Sequence, residues 1–266
     1  MSTDTETTET GTDTAGPTRA EVCAVACAEA WRDAGEIMAS PFGTIPALGA
    51  RIAKLTFSPD LVLTDGEAAL MVGAPPIGTP ADQLVRESLM QYRMVFDVVW
   101  SGRRHIMMMA SQIDRTGNQN LSAIGDHAKP KVQLIGVRGA PGNSVNHQTS
   151  YWVPNHSPRT FVAEVDMVSG AGYARAAAAG PGATRYHDVQ VVVSNLGVFD
   201  FDTPDHAMRI RSVHPGVTVD QVQDATGFDL VVPDQVPESR LPTDAELHLL
   251  RDVLDPRSLR DREIKA

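Results

Sequence analysis

Between residues 36 and 64 the sequence reads as strand, helix, strand, and nothing else in the chain limits its fold as much. Residues 36–40 (EIMAS) are a short apolar run, residues 46–55 carry helical spacing, and residues 61–64 (LVLT) form a second run after a turn at Pro59-Asp60. Two strands joined through a helix pair in parallel, because antiparallel neighbours are joined by tight hairpins. The expected class is therefore α/β: an open, largely parallel sheet flanked by helices, with sites at the carboxyl ends of strands. Further strands are expected at 105–110, 132–136, 160–166 and 189–194. Residues 174–183 (ARAAAAGPGA) read as a low-complexity connector.

Three capping boxes mark helix starts: Thr18-Arg19-Ala20-Glu21, Thr218-Val219-Asp220-Gln221 and Thr243-Asp244-Ala245-Glu246. In each, the threonine hydroxyl and the acid or amide three residues on satisfy free backbone N–H groups. After the first box, Cys23, Cys27, Ala30 and Ala34 recur at helical spacing, with Gly35 as the stop. A disulfide within one helical turn is strained, so both cysteines are read as small buried apolar residues in a reducing compartment.

Residues 1–18 hold eight threonines and four acids, with no large aliphatic residue after Met1. Such a segment cannot bury enough apolar surface to offset its chain entropy, so a disordered acidic tail is expected, followed by one domain over residues 19–266. The formal charge is −10, of which the tail carries four negative charges. That balance disfavours nucleic acid and anionic membranes as partners, since both select clustered cations. No apolar run approaches the ~18 residues of a membrane span, and the N-terminus lacks a signal-peptide pattern, so the cytoplasm is the expected location.

Three loops carry chemistry. Asp65-Gly66-Glu67 places two carboxylates at the carboxyl end of a strand, where burial could tune an acid or base; a plain Asp-Gly turn is the competing reading. In SQIDRTGNQN, residues 111–120, Gln112 and Asn118 stand beside Asp114, Gly117 and Asn120, either as hydrogen-bond donors to a ligand or as a self-capped turn. The third is Gly136-Val137-Arg138-Gly139-Ala140-Pro141-Gly142-Asn143, followed by Asn146 and His147. Glycine-rich backbone N–H groups with an arginine suit a phosphate or a thioester oxyanion, so Arg138, Gly139, Gly142, Asn143 and Asn146 lead the binding candidates. Arg103-Arg104-His105 could meet the phosphates of an anionic cofactor or mark a solvated strand entry. The eight histidines show no metal-ligand spacing and no Gly-x-Ser-x-Gly elbow occurs, so neither a metal site nor a serine nucleophile is expected.

The 36–64 unit, the QIDRTGNQN loop, the glycine run, and the segments VVVSNLGVFDF and HPGVTVDQVQDATGFDL together resemble the β subunit of class I CoA-transferases of the glutaconate type. Within that family, TDGEA, GVRGAPGN, NHQTSYWVPNH and the ending LDPRSLRDREIKA are most similar to β subunits of actinobacterial steroid ring-cleaving hydrolases. The resemblance implies a heteromeric enzyme, an α2β2 assembly with an α subunit, that acts on an acyl-CoA in cholesterol-type C/D ring catabolism. CoA enters as part of the substrate and no separate cofactor is implied.

One departure bears on activity. The family's transferases carry a Glu-x-Gly nucleophile after Pro-Asp and its strand; aligned on Gly66, Thr64 stands in its place, and counted from Pro59-Asp60, Gly66 does. Glu67 lies one residue too far. The resemblance then points to a hydrolase that opens a ring carbon-carbon bond of a cyclic keto acyl-CoA, with the catalytic glutamate on the α subunit and Asp65 or Glu67 assisting. The alternatives are a CoA-transferase subunit using Glu67, and a non-catalytic subunit that completes its partner's site.

Overall fold

The computed structural model describes residues 16–66 and 68–264. Most of the expected tail, and Glu67, lie outside the described residues. Strands β1 (Met38–Pro41), β2 (Arg104–Met109), β3 (Gln148–Val153), β4 (Asp188–Ser194), β5 (Gly197–Asp200) and β6 (Arg209–Val213) form one sheet and lie side by side in chain order. The first four run parallel, and β5 and β6 fold back as an antiparallel meander. Helices α1 (Arg19–Ala28) and α2 (Thr44–Thr56) cover one face; α3 (Tyr92–Trp100) leads into β2 and α4 (Ala140–Asn146) into β3.

Side chains of successive residues point to opposite faces of a strand. Met107, Trp152 and Val193 pack toward α1 and α2, whereas Ile106, Met108, Tyr151 and Val192 join Phe161 and Phe199 on the other face. Burial on both faces is why these strands read as unbroken apolar runs rather than as alternation. Cys23 and Cys27 are fully buried and unpaired in a disulfide, and burial pushes both thiols well up. Cys23 Sγ meets Ser194 O of β4 at 3.7 Å, and Cys27 faces α2 at Gly49, where a Cβ would lie 2.9 Å from the Ala24 carbonyl oxygen and from Cys27 Cβ. Only glycine lets the two helix backbones come this close.

All three capping boxes form as expected, opening α1 and the helices Val219–Asp224 and Asp244–His248. Helix α1 stops earlier than the spacing predicts, at Ala28, and tightens through Glu29–Trp31 before Gly35 takes φ +67°. The expected connector at 174–183 is instead helical over Tyr173–Ala179, because consecutive alanines are strong helix formers; Gly180, at φ +90°, ends it. Of 132–136 only Val132–Gln133 pairs, with Ala123–Ile124, and the chain then tightens into a turn at Gly136–Arg138. Residues 160–166 contribute one parallel bridge, Phe161 to Ile113, because the N–H groups of Thr160 and Phe161 both donate to Ser157 O and close a turn there.

The expected second strand, 61–64, survives as a single parallel bridge between Val62 and Met38 on the outer side of β1. It is short because Thr64 already bridges Leu70, antiparallel, at the start of the hairpin Ala69–Met71/Arg86–Leu89. From β1 the chain thus steps outward to Val62 and later returns on the inner side as β2. That reversal is a topological switch, and α/β sheets open a crevice at the carboxyl ends of strands at such a point.

The C-terminal segment reinforces the start of α2. Gly43 caps α2 without a side chain, and Glu263 Oε2 supplies the acceptor, taking the N–H groups of Thr44 and Ile45 at 2.6 and 3.1 Å. Its other oxygen accepts from Trp152 Nε1. Among the described residues, no helix is long and apolar enough to cross a membrane.

Candidate functional site

A cleft of about 570 Å³ opens at the switch point. Phe42, just after β1, lines it together with Ile106, Met108 and Met109 of β2; Leu134, Gly139 and Asn143 line it from the segment that carries α4. The lining is predominantly apolar, suited to a hydrocarbon skeleton rather than to a sugar or nucleotide.

The glycine run shapes this cleft, though not by leaving its N–H groups open. Gly136 N–H donates to Leu121 O at 2.8 Å and Gly139 N–H donates to Gly136 O, so both are spent in the turn that precedes α4. Neither Gly136, Gly139 nor Gly142 has a positive φ. Gly136 is needed for contact: a Cβ there would collide with the Leu121 side chain and lie 2.8 Å from its carbonyl oxygen. Of the binding candidates, Gly139 and Asn143 line the cleft. Arg138 is exposed and, with His127, lines an adjoining hollow of about 520 Å³ that shares Gln133, Leu134 and Ile135 with the cleft.

The remaining candidates are held elsewhere. Asn146 donates to Gly142 O and faces the opposite, amino-terminal end of the strands beside Arg103 and His147. Gln112 ties Asn120 to Asp166 through three hydrogen bonds. Asn118 donates to Asp114 and accepts from Gly172 N, while Asp114 Oδ1 accepts the Thr116 and Asn118 N–H groups. This is a self-capped turn, fixed by Asp114.

A polar group that the sequence did not bring together sits where the cleft meets α4. Arg104 Nε donates to Ser40 Oγ and Arg104 Nη1 to Asn143 Oδ1, both at 2.9 Å. Burial lowers Arg104 only to about 10, so it stays charged at neutral pH, and it pairs with no carboxylate among the described residues. His147 Nε2 lies 3.2 Å from the same Asn143 oxygen; burial holds this ring neutral, at about 4. The next residue, His105, is buried against Ser150 Oγ at 2.8 Å and Trp31, and burial lowers it to about 3. The Arg-Arg-His run is thus exposed at Arg103, half-buried at Arg104 and buried at His105. The signals for this cluster were present singly, as an arginine at a strand entry and an amide after a glycine run, but not their meeting across β2 and α4.

The family model for coenzyme A transferase matches residues 24–225. The chain belongs to the coenzyme A transferase family. It is 56% identical, over 94% of its length, to the protein of Rhodococcus jostii named cholesterol ring-cleaving hydrolase IpdB subunit, and covers 97% of that relative. The Mycobacterium tuberculosis protein of the same name is 55% identical over 94% of this chain and 99% of its own. The crystal structure of Rhodococcus jostii IpdAB superposes with a TM-score of 0.89 at 55% identity, covering 94% of this chain and 99% of that one. The fold expected from the resemblance is the fold observed.

In this coenzyme A transferase chain, the position that the resemblance gives to a nucleophile is occupied by Thr64-Asp65-Gly66. Asp65 does not line the cleft. Its Oδ1 accepts the N–H groups of Ala68 and Ala69 at 3.0 Å each, and its Oδ2 lies 3.6 Å from Arg86 Nε. This geometry closes the turn into the hairpin and occupies the carboxylate. Glu67 lies outside the described residues.

Proposed function

We propose that this chain is the β subunit of a heteromeric hydrolase that opens a ring carbon-carbon bond in a cyclic keto acyl-CoA of steroid catabolism. The observation that carries the reading is the identity of 55–56% along 94% of the chain to IpdB subunits named as cholesterol ring-cleaving hydrolase. The site chemistry supports it. The cleft is apolar enough for a hydrocarbon ring system, while Arg138 and His127 flank the adjoining hollow, where the phosphates of CoA would be neutralised. The Thr64-Asp65-Gly66 segment offers no glutamate for a glutamyl-CoA ester, and Asp65 is engaged in its turn. This favours a reaction in which water, rather than a carboxylate, is the nucleophile.

In that reaction water adds to the ring ketone. The bond from the ketone carbon to the α-carbon of the thioester then breaks, its electron pair passing into the thioester enolate. A proton is delivered to the α-carbon, and the former ketone carbon, having lost the proton of the added water, becomes a carboxylate on the ring-opened product. The barrier lies in placing negative charge on oxygen, so donors held in a dry cleft lower it most. We assign the glutamate that handles the proton to the partner α subunit, in an α2β2 complex. CoA is needed only as part of the substrate, and the cytoplasm, where CoA thioesters are made and used, is its place of work.

The test is co-expression with an α-type partner and assay of the purified complex on a cyclic keto acyl-CoA with water as the only acceptor. Ring opening is expected with both chains present and not with this chain alone. A complex that moves CoA between carboxylic acids at enzymatic rates, and leaves the ring closed, would establish the transferase reading instead.

A further inference from the structure

The Asn143 side chain has one orientation available to it. Its Oδ1 accepts from Arg104 Nη1 at 2.9 Å, and a guanidinium can only donate. Turning the amide over would set two donors against each other, so the carbonyl end belongs to Arg104 and the N–H2 end points the other way. His147 Nε2 also approaches that oxygen, at 3.2 Å, but its Nδ1 donates to Gln148 O at 2.8 Å, so in the neutral ring Nε2 is an acceptor and the contact is no hydrogen bond; the charged Arg104 donor, the stronger claim on the amide, decides its orientation. The second hydrogen bond of Arg104, to Ser40 Oγ on the neighbouring strand, fixes the guanidinium itself.

The N–H2 end is under-used. Asn143 is 6% exposed, yet among the described residues its Nδ2 meets only Met108 Sδ, at 3.6 Å, a weak acceptor. The same nitrogen lies 3.7 Å from where a Cβ on Gly139 would stand. Asn143, Met108 and Gly139 all line the cleft, so two N–H bonds are held at the polar end of a largely apolar pocket. A buried donor with so poor a partner gains most from an oxygen that turns negative during the reaction.

We propose that Asn143 Nδ2 donates to the substrate carbonyl oxygen that becomes anionic during ring opening, and that Arg104 is the positioning residue that fixes this amide. The assignment rests on the activity proposed above. Arg104 acts through Asn143 and not on the substrate; its charge polarises the amide and makes Nδ2 a better donor. A substrate ring seated against the apolar remainder of the cleft would displace the water that competes for the same N–H bonds.

The experiment uses the complete complex with its α-type partner and a cyclic keto acyl-CoA. Asn143→Asp is nearly isosteric and pairs with Arg104, so the fold is kept while the N–H2 is lost. It is expected to lower kcat by about 10²-fold, the usual cost of one such donor. Arg104→Met is expected to lower kcat comparably in the wild-type background but by less than about 2-fold in the Asn143→Asp background, because the two residues act as one unit. Arg104→Lys, which keeps the charge and one donor, should recover part of the loss. Unchanged kcat in Asn143→Asp overturns the assignment, as does an Arg104→Met that only lowers Tm while each assembled complex turns over normally. Should the wild-type complex leave the ring closed, the proposed activity is refuted, and the donor is then judged by binding. About 10-fold weaker binding of the acyl-CoA to Asn143→Asp, with free CoA unaffected, supports it, and equal affinities overturn it.

Discussion

Gly136 and Gly142 belong to one glycine run but answer to different constraints. At Gly136 the missing side chain admits Leu121, whose side chain and carbonyl oxygen fill the place of a Cβ. At Gly142, inside α4, nothing lies within 4 Å of that place. Gly136→Ala is therefore expected to overpack the cleft wall and cost about 1–3 kcal/mol, whereas Gly142→Ala should gain up to about 1 kcal/mol from helix propensity. Urea unfolding of the two variants checks the difference; equal effects would mean that the turn can move away from Leu121. A sequence shows that a run is rich in glycine but not whether each serves a positive φ, an open N–H or a close approach. That is why the run is legible as a wall of the cleft while the use of its backbone is not: the N–H groups of Gly136 and Gly139 close the turn, and the donor proposed above is a side chain, Asn143.

Among the elements, those set by local chemistry were legible and those set by distant pairing were not. Capping boxes at Thr18, Thr218 and Thr243 act within four residues and all form. The parallel direction of β1 and the 61–64 segment was also readable, because a crossover helix dictates it, but the reduction of that strand to Val62 depends on Thr64 turning to meet Leu70. The cleft follows from the switch between β1 and β2, which appears only once the strand order is known. The same limit hid how α1 is secured. Glu21, read as half of a capping box, is also the buried hub of the C-terminal segment: it accepts from Thr18 N, from Arg251 Nε and Nη2, and from Arg260 Nη2, while Arg260 also binds Asp255. Glu21→Ala removes half of the capping box and the partner of two arginines, one of them buried. A loss of about 3–5 kcal/mol is expected, well above that for an exposed ion pair such as Arg115 with Asp205. Urea midpoints of Glu21→Ala and Asp205→Ala compare the two, and similar losses would place Glu21 among ordinary surface pairs.

The whole molecule carries an acid sensitivity that its formal charge of −10 does not reveal. Four histidines are buried and held neutral: His105 and His156 at about 3, His147 and His214 at about 4, with desolvation as the leading cause in each. Their ring nitrogens are tied into both halves of the core. His156 lies between Ser194 Oγ and Thr226 Oγ1, each at 2.9 Å, and stacks on Phe161 with centroids 3.6 Å apart. His214 bridges Ser239 Oγ and Ser194 O. In the unfolded chain each ring takes up a proton near pH 6.5, whereas in the folded chain it does so only at about 3 to 4. Below 6.5 the unfolded state therefore binds more protons, and stability falls as pH drops through the window from about 6.5 to about 4. At pH 5 each ring costs about 2 kcal/mol, and four such costs are comparable with the ~5–15 kcal/mol that holds a domain together. The chain is expected to lose a large part of its stability by pH 5. Urea midpoints at pH 7, 6 and 5 should fall steadily, and His156→Gln, which keeps hydrogen bonds to Ser194 and Thr226 without a titrating ring, should lessen the slope. Midpoints that stay level down to pH 4 would show that the rings charge in place and that the core makes room for them.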